Sequence, residues 1–152
     1  MGTKLGSLST INQELFRSRY ISESFIEVQF LSYMQALEGY HKKQNPKFKP
    51  KTGKKKVDLI DRIVDLLVPL QRYTAMARII GSNPRRFAQQ LIIVRNDLTH
   101  EADLKIPAIE LGRNKRQLEL IILTVLYHAL GFSDALVEEI SRNNIGFQTR
   151  MY

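Results

Sequence analysis

Between Leu91 and His100 the chain reads LIIVRNDLTH, and Arg95, Asn96 and His100 are its chemistry-bearing side chains. The pattern R-N-x-x-x-H closes a strongly apolar stretch. A guanidinium holds two phosphate oxygens at once. An imidazole takes and gives protons near neutral pH, and an amide orients either of them. Such a set binds a phosphate and moves protons beside it. The same three residue types are also what helix capping and dipole compensation select at a C-terminal turn. As a bare pattern R-x-x-x-x-H is therefore weak, and its context has to carry it.

On an ideal helix of about 3.6 residues per turn, Phe87, Leu91, Val94 and Leu98 form one narrow stripe, the core face. Ile92 and Ile93 flank the opposite side, with Asn96 and His100 between them. A helix apolar on two faces is either central in a bundle or covered by a partner, and the polar pair favours a cleft or a homodimer interface. Asn96 and His100 stand four apart, so the amide could set the imidazole tautomer. Arg95 and His100 stand five apart, roughly 140° round the helix. They converge only if the backbone leaves the helix near Thr99, or if a twofold axis brings in the same residues of a second subunit.

The elements that position this site read as helices throughout. Apolar spacings of three and four through Phe30, Met34 and Leu37 predict a long helix over about Leu8 to His41, bent near Ile21 to Ser24 with Ser22 as a cap. The segment NPKFKPKTGKKK lacks the apolar residues to order itself and reads as a mobile connector, making 43–56 a flexible basic loop. Val57 to Val68 is amphipathic, with Asp58, Asp61 and Asp65 on its polar face. Pro69 kinks or restarts it, and a short helix from about Leu70 to Ile80 ends at Gly81. Asn83 as N-cap with Pro84 at the first helical position opens the motif helix, which runs to about Leu98. A loop broken by Pro107 precedes a long apolar helix from about Arg113 to Leu130, stopped by Gly131. Ser133 caps a last helix to about Asn143, and 144–152 read as a loose tail. The sum is one all-α domain over 1–152, a bundle of about five helices with a basic disordered loop after the first.

Composition narrows the function classes. The chain has 152 residues and no cysteine, which excludes disulfides and thiolate metal sites and fits a cytoplasmic location. Its three histidines show no metal-ligand spacing, and nothing calls for a cofactor. No run is long enough to span a bilayer, and Met1 to Thr10 has no apolar signal core. Lys42, Lys43, Lys47, Lys49, Lys51, Lys54, Lys55 and Lys56 stand in a stretch without an acid. Without these eight, 15 basic residues balance 15 acidic ones, so the net charge of +8 is one local run. A polyanion is its natural partner; a solvated loop is the plain alternative. Arg85 and Arg86 open the motif helix where its dipole disfavours cations, which points to a phosphate or an acidic partner, or to a surface salt bridge. His128, among Tyr127, Leu126 and Leu130, reads as a core or interface histidine.

Three stretches together resemble the HEPN superfamily, and more narrowly the HEPN domain of ApeA-type anti-phage proteins. They are ALEGYHKK at Ala36 to Lys43, VRNDLTHEADLK at Val94 to Lys105, and Leu118 to Phe132 ending LYHALGF. ALEGYH followed by a helical hairpin and then RN-x-x-x-H is far more specific than either piece. The resemblance covers about Phe30 to Ile140. It implies a metal-independent endoribonuclease acting as a homodimer in anti-phage defence, with Arg95, Asn96 and His100 as its motif. Tyr40 and His41 match ALE-x-YH and are accessory candidates at the same site. ApeA-like proteins usually carry a large portion ahead of this domain. If these 152 residues are the whole protein, the resemblance implies a separate sensor or regulatory partner, or a solitary domain with altered control.

For RNA cleavage without a metal, the 2′-OH attacks the adjacent phosphate, and the protein supplies a base, an acid and positive charge. His100 suits acid or base duty, Arg95 the phosphate, and Asn96 the orientation of either. The alternative is a non-catalytic HEPN module that binds nucleotides or RNA, or serves assembly. A third reading is a basic helical nucleic-acid-binding domain gripping phosphates through its lysines alone.

Overall fold

A computed structural model describes residues 26–50, 57–100 and 106–149. These form six helices, with no strand among the described residues: α1 (Ile26–Gln44), α2 (Leu59–Leu70), α3 (Thr74–Ile80), α4 (Pro84–His100), α5 (Ala108–Ala129) and α6 (Asp134–Thr149). The all-α expectation holds. Residues 1–25, on which most of the expected first helix's opening and its bend near Ile21 to Ser24 fall, lie outside the described residues, as do 51–56 and 101–105.

The core forms around α5. Leu118, Ile121, Ile122 and Val125 are buried there against Phe30, Tyr33, Met34 and Leu37 of α1, with Val137 of α6 joining the same cluster. Each large apolar side chain buried this way contributes roughly 1.5–3 kcal/mol. Thr124 sits inside this apolar helix because its hydroxyl is satisfied. It donates to the Leu120 carbonyl at 2.8 Å and lies 3.3 Å from the hydroxyl of Ser141, pairing α5 with α6. The motif helix α4 lies against α2 and α1.

Helix boundaries follow local chemistry. Pro69 lacks an N–H to continue the ladder, so α2 stops at Leu70 and the chain restarts at Thr74, four residues later than the periodicity predicts. Gly81 at φ 73° ends α3, and the Gln71 side chain donates to its carbonyl at 2.7 Å, bracing the turn. Gly131, at φ 85°, fills the stop position expected of it. Helix α5 begins at Ala108, not near Arg113, because Pro107 sets an extended entry and Leu111 is already buried one turn in. Helix α6 continues to Thr149, past the expected end near Asn143. No helix among the described residues is long and apolar enough to cross a membrane.

The first part of the lysine-rich connector is not loose. Asn45 N–H donates to the His41 carbonyl at 2.8 Å, and Phe48 N–H to the Asn45 carbonyl at 3.1 Å. The Phe48 ring meets His41 edge-on, with centroids 4.7 Å apart, and Pro50 is buried. Two apolar residues among the lysines are enough to anchor the segment to the end of α1.

Candidate functional site

Helix α4 is built as its sequence dictates. The Asn83 side chain accepts from the Arg86 N–H at 3.1 Å, completing the cap ahead of Pro84. Phe87, Ala88, Leu91 and Val94 are buried, and Leu98 joins them at the core edge. On the opposite side Gln89, Ile93, Asn96 and His100 lie towards solvent, and they share one stripe of an ideal helix. Ile93 is 58% exposed, so apolar surface lies open beside the polar motif residues.

The motif groups are placed as follows. Arg95 is half-buried and donates through Nη1 to Asn96 Oδ1 at 3.3 Å. The amide thus holds the guanidinium, and the expected amide–imidazole contact is not made. The Thr99 hydroxyl bonds back to the carbonyls of Arg95 at 3.0 Å and Asn96 at 3.1 Å, tightening the turn that carries all three residues. The helix runs through His100. That removes the first of the two routes to convergence, a break near Thr99. Within one chain Arg95 and His100 diverge around the helix.

Tyr40 and His41 lie elsewhere. His41 is fully buried, with Nε2 2.9 Å from Asp65 Oδ2 and Nδ1 3.2 Å from Arg62 Nη1. Burial holds its pKa below the ordinary value, opposed by Asp65 and assisted by Arg62. One turn along α2, the carboxylate of Asp61 accepts from Arg85 Nη1 at 3.1 Å. Arg85 and His100 are fifteen residues apart on α4, about 22 Å along a helix. The His41 group therefore belongs to the Arg85 end of α4, and a single chain does not bring it to Arg95 and His100. Tyr40 is half-buried at the core edge, and burial raises its phenol pKa.

Asp61 and Asp65 have partners that periodicity does not predict. On the polar face of α2 Asp61 is only 5% exposed, and both carboxylates are engaged by residues of other elements. The signal was present in Arg85, a cation at a helix start, which here finds an acidic partner inside the chain. His128 is exposed, with Arg72 Nη2 3.1 Å from its Nδ1, and is not a core histidine. Of the lysines, Lys42 pairs with Glu38 at 2.6 Å. Lys43, Lys47 and Lys49 lie at the surface beside the His41 end, while Lys51, Lys54, Lys55 and Lys56 lie outside the described residues.

Among the described residues the protein is thus an all-helical bundle carrying Arg, Asn and His on the last turns of one helix, at its surface. The family model of Apea-like HEPN domains matches residues 31–136, well over half of the chain, and the protein belongs to that family. The matched span contains both Tyr40–His41 and the Arg95–His100 motif. No curated protein and no solved structure matches the chain. HEPN domains are often ribonucleases, and membership points to nuclease and anti-phage functions in general.

Proposed function

We propose that this protein is a metal-independent endoribonuclease of anti-phage defence whose site forms across a homodimer. The observation that carries this reading is the outer stripe of α4. Asn96 and His100 stand there beside open apolar surface at Ile93, on a helix that keeps Arg95 and His100 apart within one chain. A twofold axis on the side of Asn96 that faces Arg95, between it and His100 around the helix, gathers two Arg95 and two His100 around one phosphate. Family membership supplies the prior for RNA.

In this mechanism one His100 removes the proton from the ribose 2′-OH. The 2′ oxygen bonds to phosphorus as the bond to the 5′ oxygen breaks, and the second His100 protonates that leaving oxygen. Arg95, held by Asn96, takes the charge that builds on the non-bridging oxygens. The products are a 2′,3′-cyclic phosphate and a 5′-OH. The lysine run supplies sequence-independent attraction for the strand.

The test is RNA cleavage in excess EDTA by wild type and His100→Ala. Cyclic-phosphate ends produced by the wild type alone support the reading. No cleavage of tRNA, mRNA or single-stranded substrates by either protein favours the non-catalytic binding module.

A further inference from the structure

At the Arg85 end of α4, far from the motif, Phe48, Val64 and Val68 help wall a cavity of about 360 Å³, with Asp61, Arg85 and Lys49 also at its lining. We propose that this cavity is a guanine subsite, taking the base of a single-stranded RNA nucleotide with Asp61 as its hydrogen-bond acceptor. The proposal rests on the RNA reading above for its ligand, though not on cleavage.

Asp61 points to a ligand. It is 5% exposed, and its Oδ1 accepts from Arg85 at 3.1 Å, yet its Oδ2 is buried without a hydrogen-bond partner among the described residues. A buried acceptor left unmade costs about 1–3 kcal/mol, so a turn of the Asp61 side chain that brings Oδ2 to the N–H donors of a ligand in the cavity is favoured. An ionised carboxylate only accepts, and it has about four lone-pair sites, so the bond to Arg85 leaves room for two donors.

The rest of the lining selects among donors. Arg85 balances the Asp61 charge, and Lys49 stands on the same lining as the Asp65 carboxylate, so the lining has no net formal charge and suits a neutral base. Phe48 and the two valines offer apolar surface of the kind on which a flat base stacks, and the volume falls within the range of small-ligand pockets. Among the RNA bases, guanine alone presents two adjacent donors, N1–H and the 2-amino group, to a carboxylate. Adenine and cytosine place an acceptor nitrogen beside their single amino group, and uracil sets its one N–H between two carbonyls. Lys49 at the lining, and Lys47 and Lys43 exposed just before it in the chain, would offer cations to the sugar-phosphate.

The experiment measures anisotropy of fluorescein-labelled hexauridylates carrying one central G or one central A. The full chain is used in the His100→Ala background, so that cleavage does not consume the probe. Tighter binding of the G probe by about tenfold is expected, because a site built for paired donors rejects bases that lack them. Asp61→Asn should bring the two probes within about twofold of each other, since an amide cannot accept both donors. Val68→Trp should do the same by filling the cavity from its open side, since Val68 is 52% exposed and its replacement spares the core. Circular dichroism checks that both variants stay folded. GMP that displaces the G probe extends the site to free guanine nucleotides; failure of GMP with the preference intact confines it to the strand.

Equal binding of G and A by the starting protein overturns the proposal, as does a guanine preference that survives Val68→Trp. A retained preference without any cleavage by the wild type sinks the nuclease and keeps the subsite. His100-dependent cleavage with uniform binding does the reverse.

Discussion

The imidazole of His41 is held from both sides inside the protein: Asp65 Oδ2 lies 2.9 Å from Nε2, and Arg62 Nη1 lies 3.2 Å from Nδ1. A guanidinium can only donate, so Nδ1 is the acceptor and the ring is the neutral Nε2–H tautomer. This fastens α1 to α2, and Phe48 closes over its edge. The histidine that follows Tyr40 is thus a structural bolt within one chain.

Because burial lowers the His41 pKa below 6.5, the unfolded chain binds a proton that the folded one resists. Stability from this site is fully present above pH 6.5 and falls as the pH drops from there through the folded value. Urea midpoints at about pH 7.5 and pH 5.5, one unit either side of the ordinary histidine value, should differ for the wild type. The part of that difference due to His41 should disappear in His41→Gln, itself destabilised by about 2 kcal/mol through its broken pair of hydrogen bonds.

Arg95→Lys keeps the charge and loses the two-pronged grip on a phosphate and the fit to the Asn96 amide. Turnover of RNA should fall by about a hundredfold, with thermal stability unchanged because the side chain is only half-buried on a helix end. Full activity in Arg95→Lys would remove the guanidinium from the mechanism.

If the outer stripe of α4 is the twofold interface, Ile93→Arg should convert a dimer to a monomer in sedimentation velocity and abolish cleavage together. The residue makes no core contribution, being 58% exposed, so helicity should stay within error. An active monomer would contradict the shared site.

Replacing Lys42, Lys43, Lys47, Lys49, Lys51, Lys54, Lys55 and Lys56 by Gln takes the formal net charge from +8 to zero. The slope of log affinity for single-stranded RNA against log salt should shrink by about 0.7 for each phosphate that is no longer neutralised. Cleavage should persist at a lower rate. Its complete loss would instead favour a protein that works by phosphate grip alone.

Asn83→Ala removes the side-chain acceptor that caps α4 at the Arg86 N–H. A loss of about 1 kcal/mol is expected in chemical denaturation, with the cleavage pattern unaltered, since the motif lies at the other end of the helix.

The helices are legible in the amino-acid sequence, because apolar spacing and the punctuation of Pro69, Gly81, Asn83-Pro84 and Gly131 are local physics. So is the core face of α4, where Phe87, Leu91 and Val94 are buried as their periodicity requires. The motif is legible as residue types, and so is the confinement of excess charge to one run. Which polar groups meet is settled only by tertiary structure. Asp61 and Asp65 read only as part of a polar face, because a sequence cannot show which helix will press against it. The fold alone places Arg85 against one and His41 against the other. Likewise Phe48 and Pro50 sit in a segment whose composition argues for disorder, and the end of α1 gives them a surface to pack on. Periodicity reports which residues leave water; the partner each one meets depends on pairings between residues far apart in the chain, and those exist only once it has folded.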